Sequence, residues 1–83
     1  MVREIQIMMC VADQDHLVTV KLTHQLLACK VAALLATNHQ GPFNRWEVRD
    51  QNGTLLDNYE TLDNLGVLDG DRLFVSLQIG IGA

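Results

Sequence analysis

From Glu4 to Val11 the chain alternates with a period of two: Ile5, Ile7 and Met9 share one side, Glu4, Gln6, Met8 and Cys10 the other. Such alternation marks a strand with one buried face. Ala12-Asp13-Gln14-Asp15 is a polar break, and the alternation resumes over His16 to Leu22, with Val18, Val20 and Leu22 opposite Leu17, Thr19 and Lys21. Two alternating runs around a short polar break predict an N-terminal hairpin. The period then lengthens: Leu27, Val31, Leu34 and Leu35 recur as the apolar stripe of a helix. Thr23 is the expected N-cap, and the helix should stop near Asn38-His39, ahead of Gly41-Pro42.

Beyond the loop, Trp46–Asp50 and Thr54–Leu56 flank Gln51-Asn52-Gly53, a hairpin signal because Asn-Gly accepts the positive φ angles of a tight primed turn. Thr61–Val67 reads as a compact turn with three apolar anchors. A second turn, Leu68–Asp71, delivers Arg72–Leu77 as a last strand with Leu73, Val75 and Leu77 on one face. One helix must cover one face of the sheet, because nothing else remains to bury either stripe. The expected class is α+β, and a last strand entering beside the first and parallel to it would give a β-grasp sheet of four to five strands on one helix.

Composition narrows the function. The chain has 83 residues, enough for one core. With 48% apolar and 19% charged residues it has the makings of a folded domain rather than a disordered segment. A net charge of -4 and six scattered Lys and Arg argue against nucleic acid as a partner. No apolar run approaches the ~18 residues of a membrane span, and no secretory leader is apparent in the first residues. Cys10 and Cys29 therefore read as reduced, buried thiols, and the cytoplasm is the expected location.

The pattern of residues resembles the ubiquitin superfamily. The spacing of Val48, Leu55, Leu62, Leu65, Val67, Leu73 and Val75 follows that family's core positions, and Thr61–Val67 and Asp69-Gly70-Asp71-Arg72-Leu73 are similar to the segments before its last strand. Trp46-Glu47-Val48-Arg49-Asp50, Leu55-Leu56-Asp57, Leu73-Phe74-Val75-Ser76-Leu77 and a glycine-bearing tail bring it closer to a bacterial ubiquitin-like modifier family. The genes of that family accompany those for an activating enzyme (ThiF/E1-like), a conjugating enzyme (E2-like) and a JAB/JAMM-type metallopeptidase.

The resemblance implies a β-grasp domain over residues 1–77 and a flexible conjugation tail over 78–83. Aligned on the last strand, Gly82 falls at ubiquitin's terminal glycine and Ala83 is surplus. The implied chemistry is cleavage between Gly82 and Ala83, activation of the Gly82 carboxylate with ATP as an adenylate and then a thioester, and an isopeptide bond to a target protein's amine. Such a protein is a substrate and tag, not an enzyme, and needs no resident cofactor. Glycine suits a narrow enzyme channel because it lacks Cβ.

Leu77, Gln78, Ile79, Gly80 and Ile81 would be the tail's recognition residues. Ile81 replaces ubiquitin's penultimate glycine and is stiff, while Gln78 and Gly80 stand where ubiquitin's tail is basic. Both departures imply dedicated enzymes. Arg49 and Ser76 occupy positions of ubiquitin's apolar recognition face, so ubiquitin receptors are not expected to bind. Arg45, Arg49 and Arg72 are candidates for a polar docking face. Trp46 is either partly buried beside Phe43 or a partner anchor.

Lys21 and Lys30 are the only lysines and so the possible side-chain acceptors of a second copy. His16, His24 and His39 share no metal-ligand spacing with the cysteines. Asp69 and Asp71 fall short of a calcium loop and read as turn formers. Two other functions remain open: a sulfur carrier forming a C-terminal thiocarboxylate, against which the missing Gly-Gly end and the surplus Ala83 count, and a non-conjugated β-grasp interaction module.

Overall fold

A computed structural model of the chain describes residues 4–39 and 42–78. Strand β1 (Glu4–Val11) pairs antiparallel with β2 (Gln14–Lys21) along its whole length, from Glu4 opposite Lys21 to Val11 opposite Gln14. The connection is only Ala12-Asp13, both at positive φ (48° and 69°). The break expected over four residues is therefore a two-residue primed turn, whose twist matches that of the strands it joins. Gln14 and Asp15 belong to β2.

Helix α1 (Leu26–Ala36) follows, then a 3-10 turn (Phe43–Arg45), strand β3 (Trp46–Arg49) and strand β4 (Arg72–Leu77). The sheet order is β2-β1-β4-β3, with β4 parallel to β1 (Met8 beside Arg72, Val11 beside Val75) and antiparallel to β3. The last strand thus inserts beside the first, the β-grasp arrangement. Ile5, Ile7, Met9, Val11, Val18, Val20, Val48, Leu73 and Val75 are buried on one side of the sheet with the helix residues Leu26, Cys29, Ala33 and Leu34.

Four expectations need correction. Thr23 does not cap the helix. Gln25 is the N-cap residue and makes no side-chain cap bond; instead Leu26 and Leu27 N–H donate to the Glu60 and Asn58 carbonyls, at 3.0 and 2.9 Å. The orphan donors of the first turn are satisfied by a loop distant in sequence. The buried stripe is also rotated: Leu26, Cys29, Lys30, Ala33 and Leu34 face inward, whereas Leu35 is exposed and Leu27 and Val31 are half-buried. Apolar residues surround this helix, so periodicity alone could not select the face. Small Cys29 and Ala33 let it approach the sheet.

The second expected hairpin is reduced to β3 and a single bridge between Arg49 and Leu55. Asp50 organises this turn, its Oδ1 accepting from Asn52 and Thr54 N–H at 2.8 and 3.0 Å, and only Gly53 takes a positive φ. Lastly, Leu77 is exposed although it shares parity with buried Leu73 and Val75. It ends β4.

The helix stops at Thr37-Asn38-His39 as expected. Asn38 is left-handed (φ 66°), and His39 and Asn38 N–H donate to the Leu34 and Leu35 carbonyls, the paired bonds of a Schellman stop. Leu62 and Val67 anchor the 61–67 turn in the core. The 68–71 turn is tied to β1: Gly70 N–H donates to the Gln6 carbonyl at 2.7 Å, and Gln6 N–H donates to Asp69 Oδ1 at 2.7 Å.

Candidate functional site

β4 carries the chain toward the tail. Trp46 lies opposite Leu77 at the start of β3, and Gln78 N–H donates to the Arg45 carbonyl at 2.8 Å. The backbone at Gln78 is therefore still held by the domain, one residue past the end of β4. Ile79, Gly80, Ile81, Gly82 and Ala83 lie outside the described residues. Arg45, at the end of the 3-10 turn, has an exposed side chain beside this root.

Trp46 is turned inward, 8% exposed, with its ring set edge-on against His39 at 4.8 Å between centroids. An indole so placed supports the strand that positions the tail and is not a free anchor. Lys30 reaches the same place from the helix. It is fully buried, and its Nζ donates to the Trp46 carbonyl oxygen at 3.0 Å. No carboxylate comes within ion-pair distance of it among the described residues. Burial therefore pushes its pKa below the usual lysine range. An amine enclosed this way is withdrawn from solvent, which corrects its reading as an acceptor.

Arg49 and Arg72 come together on the sheet face opposite the helix. Arg49 pairs with Phe74, and Arg72 precedes Phe74 by two residues on β4. Neither is a free cation. Arg49 donates to the Gly53 carbonyl at 2.9 Å and to Glu47 Oε1 at 3.2 Å. Arg72 Nη1 donates to both Asp15 carboxylate oxygens, at 2.9 and 3.0 Å. The Arg72 hydrogen bond, then one from the Cys10 thiol, hold the Asp15 carboxyl below the usual range. Arg45 sits apart, so the three arginines form no single patch.

The Arg72–Asp15 pair crosses the outer face of β1 between Met8 and Cys10, leaving an apolar pair on each side of it. Met8 lies opposite Leu17, and Cys10 beside Phe74; Leu17 and Phe74 are exposed and Met8 and Cys10 half-buried. Arg49 and Ser76 also lie on this outward side, and the apolar surface is carried by β1, β2 and β4. Strand parity could have found it, since Leu17, Met8, Cys10 and Phe74 all fall on the side away from the core. Cys10 thus differs from the expected buried thiol; desolvation, then the Asp15 hydrogen bond and charge, push its pKa up. Cys29 is fully buried, with its pKa pushed up to about 11 by desolvation, and both thiols are free.

Among the described residues no three His, Cys, Asp or Glu side chains converge as metal ligands. No helix of the described residues is long and apolar enough to cross a membrane.

A four-stranded mixed sheet in this order, grasping one helix and ending on a strand that runs into the tail, defines a ubiquitin-like β-grasp domain. The chain belongs to the family described as "Protein of Unknown function (DUF2604)", which matches residues 2–83. Its fold is similar to the ubiquitin-like domain of an Arabidopsis thaliana protein (TM-score 0.77, 23% identity, covering 99% of this chain and 86% of that one). It is also similar to Caldiarchaeum subterraneum ubiquitin (TM-score 0.71, 19% identity, 96% and 100%) and to the UBL domain of Plasmodium falciparum Dsk2 (0.73, 19%, 92% and 100%). At these identities the likeness is one of fold. No curated protein matches the chain.

Proposed function

We propose that this chain is a ubiquitin-like protein modifier, a substrate and tag rather than a catalyst, conjugated through the Gly82 carboxylate after loss of Ala83. The observation that carries this reading is the register of the exit. β4 ends at Leu77, among the described residues the last backbone bond to the domain is at Gln78, and Gly82 follows four residues later in the sequence. A full extension of ~3.3–3.6 Å per residue puts Gly82 up to about 14 Å from that anchor, enough to enter a narrow channel while the domain stays outside.

In the proposed chemistry a peptidase of JAB/JAMM type hydrolyses the Gly82–Ala83 bond. A ThiF/E1-like enzyme then joins the Gly82 carboxylate to AMP, with pyrophosphate leaving from ATP. A cysteine thiolate displaces AMP, the acyl group passes to an E2-like enzyme, and a target amine displaces the thiolate to form the amide. Glycine at the acyl carbon leaves the path of the nucleophile open. Leu77 to Ile81 are the residues such enzymes would grip, and exposed Arg45 stands where Gln78 is anchored. Arg49 and Arg72 lie on the outer sheet face with their carboxylate partners and would dock only as ion pairs.

A second reading, a non-conjugated interaction module, draws on the outward apolar residues Leu17, Met8, Cys10 and Phe74 on either side of the Arg72–Asp15 pair. The two separate on one experiment. An N-terminally tagged chain and the same chain ending at Ile81 are expressed in native cells and recovered under reducing, denaturing conditions. Higher-mass species present only with the intact tail support the modifier; their absence in both, with partner binding lost in Phe74→Ser, supports the module. A sulfur carrier would instead show oxygen-to-sulfur exchange at the terminus.

A further inference from the structure

The chain has two lysines, and they lie in opposite situations. Lys30 is fully enclosed, its Nζ bound to the Trp46 carbonyl oxygen. Its lowered pKa would favour a reactive neutral amine, but no acyl donor can reach an atom in the core. Lys21 is exposed and is the last residue of β2, an outer strand of the sheet, so among the described residues one of its flanks has no neighbouring strand.

Its position along the sheet matters as much as its exposure. Lys21 lies opposite Glu4, the first residue of β1, whereas β4 runs parallel to β1 and sets Val75 beside Val11, the last. The seven steps from Glu4 to Val11 span about 23 Å at ~3.3 Å each. Gln78, anchored to the Arg45 carbonyl, lies three residues past Val75, beyond that far end. Four further residues reach at most about 14 Å. Gly82 cannot turn back across the sheet to the Lys21 of its own chain.

We propose that Lys21 is the one side-chain acceptor for a second copy of this chain. Homotypic chains then carry a single Gly82–Lys21 linkage, form only between molecules and extend end over end. This rests on the reading of Gly82 as the conjugated carboxylate. In the step, the neutral Lys21 Nζ attacks the acyl carbon of a Gly82 thioester. The new C–N bond replaces the C–S bond, the thiolate leaves, and the proton lost by the nitrogen passes to it or to water.

The test uses the full chain, N-terminally tagged, and its Lys21→Arg variant, each expressed in native cells and purified under denaturing, reducing conditions. Arg at this exposed site keeps the charge and the fold. Trypsin cuts after Arg72, so an acceptor lysine carries the Leu73–Gly82 remnant. The expected result is a ladder at multiples of the chain mass that falls at least tenfold in Lys21→Arg. The remnant sits on Lys21 and not Lys30, and conjugates to other proteins persist. A ladder that persists in the variant, a remnant on Lys30, a cyclised monomer, or conjugates to other proteins with no ladder in the natural chain overturns the proposal alone. Absence of every covalent conjugate overturns it together with the modifier reading.

Discussion

Replacing Lys30 with Met and with Ala separates what its stem contributes from what its charge costs. The stem fills the space between α1 and the start of β3, and truncating a buried chain of this length to Ala costs about 2–5 kcal/mol through lost burial and the cavity left. The ammonium donates one bond to the Trp46 carbonyl oxygen, and a bond from a charged group contributes ~1.5–3 kcal/mol. Against it stands the several kcal/mol of effective penalty for holding an ion out of water. With no carboxylate partner among the described residues, the polar terms nearly cancel. Lys30→Met is therefore expected within about 1 kcal/mol of the natural chain, or above it, and Lys30→Ala about 2–4 kcal/mol below Lys30→Met. Urea unfolding followed by fluorescence of Trp46, the only tryptophan, measures both.

The pH dependence supplies a second readout. Because the folded pKa of Lys30 lies below the unfolded value, the unfolded chain binds more protons between the two. The stability of the natural chain should therefore rise relative to Lys30→Met as pH approaches the usual lysine pKa of 10.5 from below. If Lys30→Met costs as much as Lys30→Ala, or the difference between natural chain and Lys30→Met is flat with pH, the near-cancellation of the polar terms is refuted.

Three further outcomes follow from the same geometry. Leu62→Ala, at a fully buried position, should cost about 2–5 kcal/mol in the same urea assay. Gly70→Ala should cost only ~1 kcal/mol, since its φ is +87° but nothing lies within 4 Å of an added Cβ. With a disulfide reagent at neutral pH, one thiol should react slowly in the native chain and two in denaturant. Half-exposed Cys10 is held protonated beside Asp15, and Cys29 is shielded.

The sheet was largely legible because its strands alternate with one buried face: Ile5-Ile7-Met9 and Leu73-Val75 are buried in the register that periodicity requires. The turns at Asp69-Gly70-Asp71 and Asn38-His39 were legible from local chemistry. What escaped was decided at long range. Thr23 offered a good local cap, but Asn58 and Glu60 carbonyls arrive from a distant loop and make it unnecessary. Lys30 lies one step off an apparently adequate stripe, and only the backbone carbonyl of Trp46, sixteen residues on, makes its burial tolerable. Asp15, read as a turn residue, is the partner of Arg72 fifty-seven residues away. The outward side of Met8, Leu17 and Phe74 was present in strand parity, yet which of these are neighbours, and that the Arg72–Asp15 pair crosses between them, depends on strand order, which alternation does not contain.

The modifier function turns on one bond, between Gly82 and Ala83. Intact-mass and peptide mass spectrometry of the protein recovered from its native cells tests it directly. The expected result is a mature chain lacking Ala83, with the Gly82 carbonyl joined to lysine amines of other proteins. A chain that retains Ala83 throughout, or whose mature end falls anywhere but Gly82, would contradict it.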